Sequence, residues 1–136
     1  MTSSHPSPPS QQSPPFVDTL ARLTSHRHIE HFLPAALHEA VQATHCEAGS
    51  LLLVGDRTRR AREGNLSPEI ENQISVWEEN LEERLSSTSW QIRDNEPLPV
   101  STHTVEASQH LLVNAPLLRG ENVIGSATLV FAPGTR

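Results

Sequence analysis

Eight histidines, one cysteine and scattered serines and aspartates are the side chains of this sequence that could carry chemistry. Metal binding is the first chemistry they suggest, through the run His26-Arg27-His28-Ile29-Glu30-His31 and the set His31, His38 and His45. On a helix the heptad-spaced trio shares one stripe. Its neighbours are about 10 Å apart along the axis, too far to close around one ion. His28 and His31 have a more usable spacing, but no third ligand accompanies them. These histidines read as a solvent face, and no metal is expected. Cys46 stands alone, which excludes an intramolecular disulfide and any zinc site needing several thiolates. A buried, inert thiol is the reading for it. No serine lies in a Gly-x-Ser-x-Gly elbow. Phosphate-loop and dinucleotide glycine patterns are missing too. The sequence predicts no catalytic residue and no cofactor.

The chain of 136 residues is long enough for one domain with a core. Its net charge is −6, with no lysine among its ten basic residues. This balance argues against a nucleic-acid partner. The only basic concentration, Arg57, Arg59, Arg60 and Arg62, reads as a solvated strand edge. No run approaches the roughly 20 apolar residues of a membrane span. The N-terminus lacks the basic and apolar regions of a secretory signal, so a cytoplasmic protein without a membrane partner is the expectation. Met1–Pro15 is Pro- and Ser-rich and reads as a disordered tail, leaving 16–136 as a single domain.

The elements that must position any site follow in order. Phe16–Leu23 reads as a short amphipathic helix. A second helix is expected from about Ile29 to His45, with Ile29, Leu33, Ala36, Leu37, Ala40, Val41 and Thr44 on one face. Pro34 fits it only near the first turn. Ala48–Gly55 is a strand, and Thr58–Arg62 an edge strand with its charges in water. Ser67-Pro68 marks a helix start, and Ile70, Ile74, Trp77, Leu81 and Leu85 form the strongest helical stripe of the chain. Its acidic face (Glu71, Glu78, Glu79, Glu82, Glu83) reads as solvated. Trp90–Ile92 is expected as a short strand, with a short helical turn within Ser101–Gln109. Two apolar runs, Leu111–Leu118 and Val123–Phe131, flank Arg119-Gly120-Glu121-Asn122 as a hairpin. Apolar residues on both faces predict that this hairpin is central and doubly covered. The fold class is α+β: a largely antiparallel sheet of five to six strands with helices on its faces.

The run QATHCEAGSLLLVGD, ending at Asp56, resembles the helix-to-strand opening of a GAF domain. LLVNAPLLRGENVIGSATLVF resembles that family's closing hairpin, with Pro116-Leu117 before the turn and Ile124-Gly125 opening the last strand. The resemblance spans about 29–131, and between Thr58 and Gln109 only the order of elements matches. The domain is expected to lack the family's usual C-terminal helix after Phe131.

The resemblance implies a small-molecule sensing or signalling module. Its pocket would lie between the sheet and the cover formed by Leu66–Val100 with the Ser101–Gln109 turn. Trp90, Ile92, His103, His110 and Asn114 are the candidate pocket residues: walls with a few orienting polar groups. A haem would need His103 or His110 turned into that pocket, and none is expected. Cyclic-nucleotide binding lacks its Asn-Lys-Phe-Asp-Glu signature. A sulfoxide-reductase activity of the kind found on this fold would need more than one cysteine. The favoured expectation is a non-catalytic input or dimerisation module of a bacterial signalling protein, such as a sensor histidine kinase of a two-component system. Its homodimer would form through Phe16, Leu20, Leu23, Leu33 and Leu37, and an output domain would be fused or partnered. A ligand-occupied sensor is the alternative.

Overall fold

Helix α1 (Leu33–Thr44) packs its buried side chains Leu33, Leu37, Ala40 and Val41 on one face of a sheet. The computed structural model describes residues 33–55 and 57–134. The tail Met1–Pro15, the segment Phe16–Leu23 and the start of the second expected helix lie outside the described residues. Pro34 is the second residue of α1, where its missing N–H breaks no intrahelical bond. The helix ends in a Schellman arrangement: His45 N–H donates to Gln42 O and Cys46 N–H to Val41 O. His45 takes the left-handed position usually given to glycine, at φ 57°.

The sheet consists of β1 (Ala48–Leu53), β2 (Arg59–Glu63), β3 (Ser101–Thr104), β4 (Leu111–Arg119) and β5 (Asn122–Phe131). These five strands run in the order β2-β1-β5-β4-β3, and every pairing is antiparallel. Together with α1 and a second helix, α2 (Pro68–Ser87), they make an α+β fold with a helix on each side of the sheet. The central β4–β5 hairpin turns through Gly120-Glu121 and is covered on both faces. Its only irregularity is the register shift between Leu117 and Leu118. Gly125 lies beside it because a Cβ there would run into the Leu52 carbonyl oxygen of β1. β3 pairs with β4 only as far as Asn114, so at Pro116 β4 has β5 alone as a neighbour and can spare a ladder donor.

Register sorts the strand side chains into rows. Toward α1 face Gly49, Leu129 and Val113, then Leu51, Ala127 and Ala115, then Leu53, Gly125 and Leu117. A Cβ on Gly49 would come within 2.9 Å of Leu37 Cδ1, so this glycine lets α1 sit close. Toward α2 the middle row is polar across all five strands: Arg62, Ser50, Thr128, Asn114 and Ser101. It is flanked by an apolar row (Ala48, Val130, Leu112) capped by His103, and by a mixed row (Arg60, Leu52, Ser126, Pro116).

Three segments differ from the sequence expectation. Ser101–Thr104 forms an edge strand that was not expected, and the helical turn expected within Ser101–Gln109 follows it over 106–108, closed by Gln109 N–H donating to Val105 O. Trp90–Ile92 makes a single bridge, Gln91 to Asn122, where a strand was expected. The third is the acidic side of α2. Glu78 is only 1% exposed, and its carboxylate accepts hydrogen bonds from Ser50 Oγ at 2.6 Å, Arg60 Nε at 2.9 Å and Arg62 Nη2 at 3.1 Å. Glu71 and Glu82 extend this contact to Arg62 and Arg60. Alternation puts Arg60 and Arg62 on the same side of β2, the side that faces α2. The arginines read as a solvated edge therefore clamp α2 to the sheet.

Candidate functional site

Ser67 starts α2 by accepting the Ile70 N–H through its side chain at 3.3 Å, with Pro68 in the first turn. Ile70, Ile74 and Leu81 then bury one stripe on the sheet. At about 100° per residue, Glu71, Glu78 and Glu82 fall on one flank of that stripe, and Trp77, Asn80 and Arg84 on the other. The acidic flank meets β2 and β1. The second flank stands over β4 and β3, where the short β3 leaves the sheet incompletely filled.

A cleft of about 170 Å³ lies there, open to solvent on one side. Trp77, Leu81 and Arg84 from α2 form one wall. Trp90 and Pro99, from the long connection between α2 and β3, form another. The connection is held in place by the hairpin tip: Val123 N–H donates to Trp90 O at 2.9 Å, and Ile92 N–H to Glu121 O at 2.7 Å. The Arg84 guanidinium carbon lies 3.6 Å from the centre of the Trp90 ring, a cation–π stack at the rim.

The floor comes from the polar and mixed rows: Ser101, Asn114, Pro116 and Ser126. Asn114 Nδ2 donates to Thr128 Oγ1 at 2.8 Å, which fixes the amide and leaves its oxygen for another donor. Ser126 is 4% exposed, and among the described residues its Oγ is the one buried side-chain polar atom without a hydrogen-bond partner. An unpaired buried hydroxyl costs about 1–3 kcal/mol, so a water or ligand polar group reaching Ser126 from the cleft would be stabilised there.

Of the pocket candidates read from the sequence, Trp90 and Asn114 line this cleft. Ile92 is buried behind it with Leu52, Leu81 and Val123. His103 is exposed on β3, with its ring edge-on to Trp77 at 6.4 Å between centroids. His110 lies elsewhere. Its Nδ1 is 2.8 Å from Ser108 Oγ, and its Nε2 is 2.8 Å from Glu47 Oε1. The interface candidates Leu33 and Leu37 are 3% and 1% exposed and occupied by the chain's own core, so their side chains present no surface to a partner. Phe16, Leu20 and Leu23 lie outside the described residues.

Ser108, His110 and Glu47 have the distances of a serine–histidine–carboxylate relay, which the sequence reading did not foresee. Ser108 and His110 are two residues apart in a turn where Gln109 takes φ 62°. Glu47 is a neighbour only through the sheet. Glu47 is half exposed. These hydrogen bonds join the three side chains in one chain from Ser108 through His110 to Glu47. It ties the turn before β4 to the residue before β1.

The sequence reading also missed Arg84, Trp77 and Ser126. Trp77 and Arg84 share the i, i+7 spacing of one helix flank, and that signal was present. Ser126 looked like an ordinary small residue in an apolar strand.

Cys46 is buried, and desolvation pushes its thiol pKa up against the opposing hydrogen bond from Thr44. Among the described residues no group of three or more His, Cys, Asp or Glu could hold a metal ion. No described helix is long and apolar enough to cross a membrane. The chain matches no family model and no curated protein.

Proposed function

We propose that this chain is a non-catalytic regulatory module of GAF type, an input domain of a signalling protein, that binds a small molecule between α2 and the sheet. The observation that carries this reading is the unpartnered hydroxyl of Ser126 on the wall of a cleft under α2. The resemblance implies a pocket between sheet and helix–loop cover, and Trp77, Trp90, Pro99 and Asn114 meet around such a space. A volume of about 170 Å³ is below the range usual for drug-sized ligands, so the ligand is a small one.

The arrangement also supports an output. α2 walls the cleft with one flank and carries Glu78, bound to Ser50 and to Arg60 and Arg62 of the edge strand β2, on the other. A ligand that favours one position of α2 biases the Glu78 clamp by its differential affinity for the two positions.

Native mass spectrometry of the gently purified chain, with a thermal-shift screen of small polar molecules, tests the reading. The expected result is a bound low-mass species or a raised melting temperature. Ser126→Leu, which fills the cleft, is expected to abolish either. A ligand response that Ser126→Leu leaves intact places binding elsewhere and overturns this site.

A further inference from the structure

We infer that the cleft under α2 takes a small carboxylate of about six non-hydrogen atoms, with Arg84 holding its charge and Ser126 and Asn114 its remaining polar group. The inference rests on the binding role proposed above and adds the chemical class. Size comes first. An apolar cavity of about 150 Å³ accommodates benzene, so about 170 Å³ suits a molecule of similar bulk.

Charge is decided by the lining. Arg84 is the only ionisable side chain on the cleft wall, and among the described residues no carboxylate is recorded in an ion pair with it. Its guanidinium stacks on Trp90, which fixes the plane of the fork while its N–H donors remain for an anion. Glu78 and Glu82 are engaged on the opposite flank of α2 by Arg60 and Arg62, so these two carboxylates are turned away from the cleft. The floor specifies a second group. Ser126 Oγ can both donate and accept, and the Asn114 amide oxygen accepts, because its nitrogen is committed to Thr128. A short hydroxy acid satisfies both ends, while Trp77 and Trp90 cover its carbon skeleton.

Both tryptophans of the chain line the cleft and there is no tyrosine, so intrinsic fluorescence reports on this site. The full chain is titrated at constant ionic strength with lactate and, separately, with uncharged lactamide. The expected result is a saturable fluorescence change with lactate and at least tenfold weaker binding of lactamide. Arg84→Met is expected to weaken lactate at least tenfold and leave lactamide unchanged, and Arg84→Lys to recover part of the loss. Circular dichroism confirms that each variant is folded. Equal affinity for the two probes, or lactate binding unaffected by Arg84→Met, overturns the carboxylate assignment while the cleft keeps its binding role. The absence of a saturable change with either probe overturns the inference, and if the screen also yields no ligand, the binding role falls with it.

Discussion

The two faces of the one sheet are built from different chemistry, although the same strands supply both. Toward α1 the rows across β1, β5 and β4 contain only Leu, Val, Ala and Gly, and the helix seats close to them over Gly49. Toward α2 a polar row crosses the whole sheet from Arg62 to Ser101, and Ser126 beside it has no partner. A face used only for stability has no reason to bury Ser50, Thr128, Ser126 and Glu78, since each must find hydrogen bonds or cost free energy. The α1 face therefore carries the ordinary hydrophobic stabilisation. The α2 face gives up some of it for a position-fixing clamp at one end and a cleft at the other.

The largest effect is expected on the apolar face. Leu37→Ala removes a side chain enclosed by α1 and the sheet, and the expected loss is about 4 kcal/mol in equilibrium denaturation. A loss near 1 kcal/mol would mean that the α1 face is loosely packed and the contrast is overstated. Glu78→Ala comes next, at about 3 kcal/mol. The cost lies at the low end for a broken buried pair because Arg60 and Arg62 can still reach water, whereas Ser50 cannot.

The double variant Ser50→Ala, Glu78→Leu converts the clamp to apolar packing and releases both arginines to solvent. It is expected within about 1 kcal/mol of the parent, as for other buried ion pairs replaced by hydrophobic groups. A double variant as unstable as Glu78→Ala would show that the clamp stabilises the fold beyond fixing where α2 sits.

The apolar face was legible in the sequence and the polar one was not. Leu33, Leu37, Ala40 and Val41 fall on one helical stripe, and the hairpin's two apolar faces predict a covered, central position. The stripe Ile70, Ile74, Leu81 likewise gave α2 with its Ser67 cap. Glu78 is eight residues after Ile70 and so borders the buried stripe, but a glutamate there reads as solvated unless its arginine partners are known. Those partners sit on a strand whose register against β1 is a long-range property. Ser126 was hidden for the same reason. Only the pairing Leu52–Ser126–Pro116, and the early end of β3, put its hydroxyl at a gap. Trp90 and Asn114 were reached through the family resemblance, and His110 failed to join them because Glu47 and Ser108 hold its ring elsewhere.

Ser126→Ala tests most directly whether the α2 face is shaped for an occupant. The unpartnered hydroxyl contributes nothing to the free protein, so its removal is expected to leave stability unchanged or raise it by about 1 kcal/mol. The same variant is expected to weaken the response to small polar molecules in the thermal-shift screen. A loss of stability with the ligand response intact would contradict the account, because the hydroxyl would then serve the fold and not the cleft.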